Sequence, residues 1–186
     1  MARCYSGAMP RLKPLPAIWL VSDARNDAVL EAALARLPRG SGLVFRHYHL
    51  EEAARRARFD ALRGLCRTHG HLAVLSDQAA LAVAWGADGV YGPARRLGAP
   101  DGLLRLATAH DAAEVAAANR AGVDGLFLSP VFPSRTHPGA SHLGPDGFRA
   151  LAALAQCPVI ALGGMDADRA QQLGAAHWAG IDAFLR

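Results

Sequence analysis

One joint recurs along this chain and limits what it can become. Gly86-Ala-Asp-Gly-Val90 and Gly122-Val-Asp-Gly-Leu126 each close an alanine-rich helical stretch and open a short apolar run. Gly174-Ala-Ala-His-Trp178 is a worn copy of the same joint. Glycine just past a helix accepts the left-handed backbone that turns the chain, and a short loop then returns it to a sheet. A repeated helix–glycine–strand joint means repeated βα units.

Strands are expected near residues 17, 42, 71, 89, 103, 124, 158 and 177, each as a continuous apolar run of the kind buried on both faces. Eight parallel βα units close into a (β/α)8 TIM barrel, here a compact one with its fourth and eighth helices reduced. Only Gly92 to Asp101 separates strands four and five, and the sequence stops at Arg186. An open doubly wound sheet is the alternative, because periodicity does not fix closure. Residues 1–16 read as an extended lead-in and residues 17–186 as a single barrel domain. Within it, Asn26 or Asp27 is expected to cap a helix from Ala28 to Leu37. Gly42 to His49 reads as strand two, Glu51 to Thr68 as a long helix, and Asp77 as the opening of a helix to Trp85.

The bulk properties narrow the function. The chain is 52% hydrophobic but only 6% aromatic, which suits aliphatic helix-on-sheet packing. Its formal net charge is +4, spread over many segments with no basic run. That favours small anionic ligands over nucleic acid. Cys4, Cys66 and Cys157 have neither disulfide nor zinc spacing. No apolar run approaches a membrane span and residues 1–16 lack the core of a secretory signal, so the expected location is the cytoplasm. Trp19, Trp85 and Trp178 are spaced as packing residues. His69 and His71 are expected at the surface, and His47 and His49 on one face of a strand. Alanine- and leucine-rich outer helices make a homodimer the expected assembly.

A barrel holds its ligand at the C-terminal ends of its strands. Two stretches there suit an anion. Phe127-Leu-Ser-Pro-Val-Phe-Pro-Ser-Arg-Thr-His137 ends in hydroxyls and cations, and Pro158-Val-Ile-Ala-Leu-Gly-Gly-Met165 ends in paired glycines whose bare N–H groups can approach a phosphate.

These two stretches, with Gly144, Leu75-Ser-Asp77, Gly86-Ala-Asp-Gly-Val90 and Thr108-Ala-His110, resemble the thiamine-phosphate synthase and thiazole tautomerase family in order and spacing. The resemblance implies a transferase that joins a pyrimidine-methyl diphosphate to a thiazole phosphate and releases pyrophosphate, with Mg2+ on the diphosphate. By position it implies Arg46 at the pyrimidine, Asp77 on the metal, Ser76 beside it, and Thr108 near the reacting groups. Ser134, Arg135, Thr136, Gly163, Gly164 and the Ile181 backbone would hold phosphate, and His137 stands where the family has a lysine.

The chain departs from that pattern at definite places. Lys13 is its only lysine. The family's strand-two lysine falls at Tyr48, its strand-two glutamine at Val44, and its last phosphate serine at Asp182. The second magnesium acid falls in Gly92-Pro-Ala-Arg-Arg96, which has none. Arg46, Arg95, Arg96 and Arg135 could supply the missing charge by bidentate pairing, or Arg95 and Arg96 are ordinary solvated loop charges. Pro130 stands where the tautomerase branch has a histidine, leaving His137 or His110 as acid–base candidates. A thiazole tautomerase and a non-catalytic phosphate-ligand-binding barrel are the alternatives to the synthase.

Overall fold

A computed structural model of the protein describes residues 15–133 and 141–184. Eight parallel strands close into a barrel in sequence order, β1 pairing with β8. They are β1 Ile18–Val21, β2 Gly42–Phe45, β3 Leu72–Leu75, β4 Gly89–Pro93, β5 Leu104–Ala109, β6 Gly125–Leu128, β7 Val159–Ala161 and β8 His177–Gly180. The helices on the outside are α1 Leu30–Arg36, α2 Glu52–His69, α3 Ala79–Ala84, α4 Ala112–Ala121, α5 Gly144–Ala152 and α6 Ala167–Leu173. After β4 stands only a 3-10 turn, Ala94–Arg96, and after β8 another, Asp182–Phe184. The closed barrel and the short connection after β4 agree with the expectation, and the open sheet is overturned by the β1–β8 ladder.

Strand alternation divides the core into two layers. Trp19, Val21, Val44, Leu72, Val74, Tyr91, Leu104, Leu106, Phe127, Ile160, Leu162 and Ala179 fill the barrel interior. The intervening residues, such as Leu20, Leu43, Phe45, Leu75, Val90, Leu126 and Leu128, face the helices. Trp19 is too wide for a uniform barrel, and room for it comes from its ladder partner. Gly42 lies so close that a Cβ there would overlap the indole ring. The Trp19 indole donates to Pro16 O at 2.9 Å, and Leu15 packs on the same interior layer, closing the N-terminal end.

Several local expectations are corrected. The second strand ends at Phe45, because the chain turns at His47, whose φ is 40°. His47 and His49 therefore share no strand face. Asn26 does not cap a helix by its side chain. Instead its amide accepts from Asp23 N and donates to Val21 O and Ile181 O, tying β1 to the end of β8. Asp27 opens a 3-10 turn, and α1 starts only at Leu30. His71 is buried, its Nε2 donating to Leu34 O at 3.0 Å, so it is no surface residue. All three tryptophans pack in the core as expected.

Candidate active site at the C-terminal rim

The inward parity of each strand continues past its last residue. Val21 leads to Asp23, Val44 to Arg46, Val74 to Ser76, Leu106 to Thr108, Phe127 to Ser129 and Ala179 to Ile181. The barrel mouth is thus floored by apolar residues and rimmed by this set, polar at every position but Ile181.

Arg46 is held at the mouth by its neighbour strand. Its Nη2 reaches Asp23 Oδ2 at 2.9 Å, its Nε donates to Ser22 O at 3.0 Å, and its backbone N donates to Ser22 Oγ. Burial alone would raise the Asp23 carboxyl, but hydrogen bonds and charge from Arg25, then the charge of Arg46, outweigh it and hold it below the usual range. The Ser22 hydroxyl, already an acceptor from Arg46 N, donates to His47 Nδ1 at 2.8 Å. His47 Nε2 then donates to Asp27 Oδ1 at 2.8 Å, which also takes Arg58 Nε. This serine–histidine–aspartate chain is not a nucleophile set, because Ser22 and His47 are 0% and 1% exposed. It locks the turn that aims Arg46.

Beside it, the buried Arg55 of α2 spends every nitrogen. Nη1 pairs with Asp77 Oδ2 at 2.6 Å, Nε donates to Arg46 O at 2.8 Å, and Nη2 donates to Ser76 O at 2.9 Å. Its guanidinium lies near the rings of Phe45, Tyr48 and Trp85. Tyr48 Oη is hydrogen-bonded to Ser76 Oγ. Sequence reasoning missed Arg55. The signal was its place in the stripe Arg55, Phe59, Leu62, Cys66, the face α2 buries.

Asp77 was expected to carry the metal. Its Oδ2 faces Arg55 and its Oδ1 accepts from Gln78 N at 2.8 Å. No group of three or more His, Cys, Asp or Glu stands together among the described residues. Magnesium at a diphosphate is held by one or two carboxylates together with waters and phosphate oxygens, and at the described rim Asp77 already has Arg55 on one oxygen. Arg95 and Arg96 lie in the turn after β4, where the family pattern has an acid, and line a cleft of about 550 Å³ with Gln78, Ala79 and Ala80.

On the opposite side of the rim, Gly163 and Gly164 take φ 97° and 61°. The loop after β6 runs against them: Val131 N donates to Leu162 O and Phe132 N to Gly163 O. A Cβ on Gly163 would meet Pro130 Cα at 2.7 Å, which is why glycine is needed there. Among the described residues their two N–H groups donate to no other group. Thr108 is half-buried at the mouth, pairing in register with Pro93 and Phe127. The Ile181 carbonyl accepts from Asn26 Nδ2, so it faces β1. Asp182 lies 3.7 Å from Arg25 Nη1, which offsets its charge. His110 is exposed and its Nδ1 is hydrogen-bonded to Glu114 at 2.8 Å. Ser134, Arg135, Thr136 and His137 lie outside the described residues. The structure thus brings Arg46, Ser76 and Asp77 into one cluster and sets the paired glycines in another.

The family model described as thiamine monophosphate synthase matches residues 18–184. The chain belongs to this family. It is 38% identical over 187 residues to the thiamine-phosphate synthase of Chromobacterium violaceum, covering 94% of this chain and 86% of that one. It is 36% identical over 184 residues to the thiamine biosynthesis bifunctional protein ThiM/ThiE of Symbiobacterium thermophilum, of whose length it spans 38%. Thiamine phosphate pyrophosphorylase of Pyrococcus furiosus superposes with a TM-score of 0.75 at 25% identity, over 89% of this chain and 85% of that one. FabK of Thermotoga maritima, at 16% identity and TM-score 0.72, shares the fold alone. Members of the thiamine monophosphate synthase family bind small phosphorylated substrates. No helix among the described residues is long and apolar enough to cross a membrane.

Proposed function

We propose that this chain is a cytoplasmic thiamine-phosphate synthase-like transferase. It joins a pyrimidine-methyl diphosphate to a thiazole phosphate and releases pyrophosphate. The observation that carries the reading is the family match over residues 18–184, within which Arg46, Ser76, Thr108 and the glycine pair all stand at the barrel mouth. Among the described residues the Gly163 and Gly164 N–H groups have no partner, so they can receive a phosphate, and preorganised donors of that kind need no rearrangement when an anion arrives. Arg46, aimed by Ser22 and Asp23, lies across the mouth to orient the pyrimidine partner. The apolar floor of Tyr91 and Phe127 keeps water from beneath the reacting carbon.

The test is pyrophosphate release from the two purified substrates. Release that falls at least about tenfold in Arg46→Ala supports the reading, a charged hydrogen bond being worth at least that much. No release, together with no calorimetric heat from thiazole phosphate or thiamine phosphate at millimolar levels, overturns it. One observation favours a second reading, a phosphate-ligand binder without turnover: the acid at position 77 is engaged by the protein's own Arg55. Tight binding of thiamine phosphate without pyrophosphate release would select it.

A further inference from the structure

We infer that the cleft between α3 and the turn after β4 is an oxyanion site made of guanidinium groups, which seats a diphosphate-class anion without a divalent cation. Its place in the reaction rests on the transferase reading above. Its existence does not.

Two independent observations converge. The first is an excess of unspent positive charge. Arg95 and Arg96 are exposed, line a cleft of about 550 Å³ with Gln78, Ala79 and Ala80, and make no ion pair or hydrogen bond among the described residues. Arg36, Arg39, Arg67 and Arg120 are likewise unbonded among the described residues, but only Arg95 and Arg96 stand side by side on that cleft. Arg46, Arg55, Arg58 and Arg105 each bond a carboxylate or carbonyl. The backbone beneath the pair is firmly set: the turn continues β4, Pro93 is in register with Thr108, and Leu97 just after it is fully buried. Two neighbouring guanidiniums on a fixed base offer many donors to an anion with several phosphoryl oxygens. The cleft is of the size that takes small molecules.

The second observation concerns the acid beside the cleft. No carboxylate lines it, and Asp77, one residue before Gln78, has Arg55 Nη1 at 2.6 Å on one oxygen and Gln78 N on the other. A cation already sits where a metal would need that carboxylate. The Arg55 guanidinium therefore offsets the Asp77 charge beside the cleft. Both halves of the arrangement point the same way: the protein supplies its own positive charge, one guanidinium for the acid and two for the ligand.

Titration calorimetry with inorganic pyrophosphate tests this, once in EDTA and once with magnesium, on the intact chain. Binding is expected in EDTA and is expected to weaken at least about tenfold in R95Q/R96Q, with R95Q and R96Q intermediate. R149Q, on the exposed face of α5, should bind as the parent does. Circular dichroism of R95Q/R96Q should match the parent, since both side chains are exposed. A strict magnesium requirement, parent-like binding by R95Q/R96Q, or no binding in either buffer overturns the inference. Turnover of the two substrates with magnesium-dependent pyrophosphate binding sinks this site and keeps the transferase. Metal-free pyrophosphate binding without turnover does the reverse.

Discussion

Arg55 and Asp77 meet at 2.6 Å beneath the barrel mouth, and the pair joins α2 to the end of β3. Arg55 also satisfies the carbonyls of Arg46 and Ser76, so it carries three separate segments of the rim. Replacing it with methionine keeps much of the volume but leaves two carbonyls and a carboxylate without their donor. The expected loss is about 3 kcal/mol, the size seen when one member of a buried charge pair is removed. Urea unfolding measures it. A loss below about 1 kcal/mol, the range of an exposed pair, would show that the contact carries little. Asp77→Asn, at a partly exposed position, should cost less.

Gly42 and Trp19 make a second prediction inside the barrel. Gly42→Ala puts a methyl group into the indole, and over-packing of this kind typically costs about 1–3 kcal/mol. The indole is fully buried and bonded to Pro16 O, so its displacement should also shift the tryptophan emission. Unchanged melting and emission would mean that Trp19 has another place to go.

These two sites show what could be read from residues alone. The glycine joints announced the βα repeat because glycine past a helix has a local, chemical reason. The short fourth connection followed from simple length. By contrast, the Arg55–Asp77 contact spans 22 residues: the apolar stripe of α2 marks Arg55 as the inward arginine, but only tertiary packing decides which acid it meets. The turn at His47 escaped notice because Arg46-His-Tyr-His49 continues an apolar run without a break signal, while its left-handed backbone is imposed by Ser22 and Asp27 from another unit. The glycine pair at 163–164 was legible because bare backbone is itself the signal.

Acid should destabilise the protein before its carboxylates titrate. Burial lowers His47 and His71 below their ordinary value of 6.5, with Asp27 opposing it at His47 and the Leu34 carbonyl opposing it at His71. A base whose folded value is lowered binds protons more readily when unfolded, so stability is full above the ordinary value of 6.5 and falls as the pH drops from there toward the folded one. Asp23, Asp27 and Glu31, all held below their usual range, add a further loss at lower pH. The melting temperature should therefore drop between about pH 7.5 and about pH 5, and the slope should flatten in His71→Gln and in His47→Asn, which tolerates the positive φ. A melting temperature flat over that interval, or an unaltered slope in both variants, would contradict the assignment.

Gly164 links the backbone of the rim to its function. Its φ of 61° costs an L-residue about 1–2 kcal/mol, a strain the fold should survive given typical domain stabilities of about 5–15 kcal/mol. The added Cβ of Gly164→Ala would also meet Pro133 O at 2.5 Å and Phe132 Cβ at 2.9 Å, so one of the two loops must yield. Arg169 stiffens that contact, bonding the Gly164 carbonyl while its guanidinium lies 5.1 Å from the Phe132 ring. The give is therefore expected in the glycine backbone, which swings the two N–H groups away from the mouth. Thiazole phosphate should bind about tenfold more weakly, the worth of a hydrogen bond to a charged group, while circular dichroism remains that of the parent barrel. Calorimetry on the folded variant separates the two effects: a modest drop in melting temperature with undiminished phosphate affinity would place the anion elsewhere on the rim.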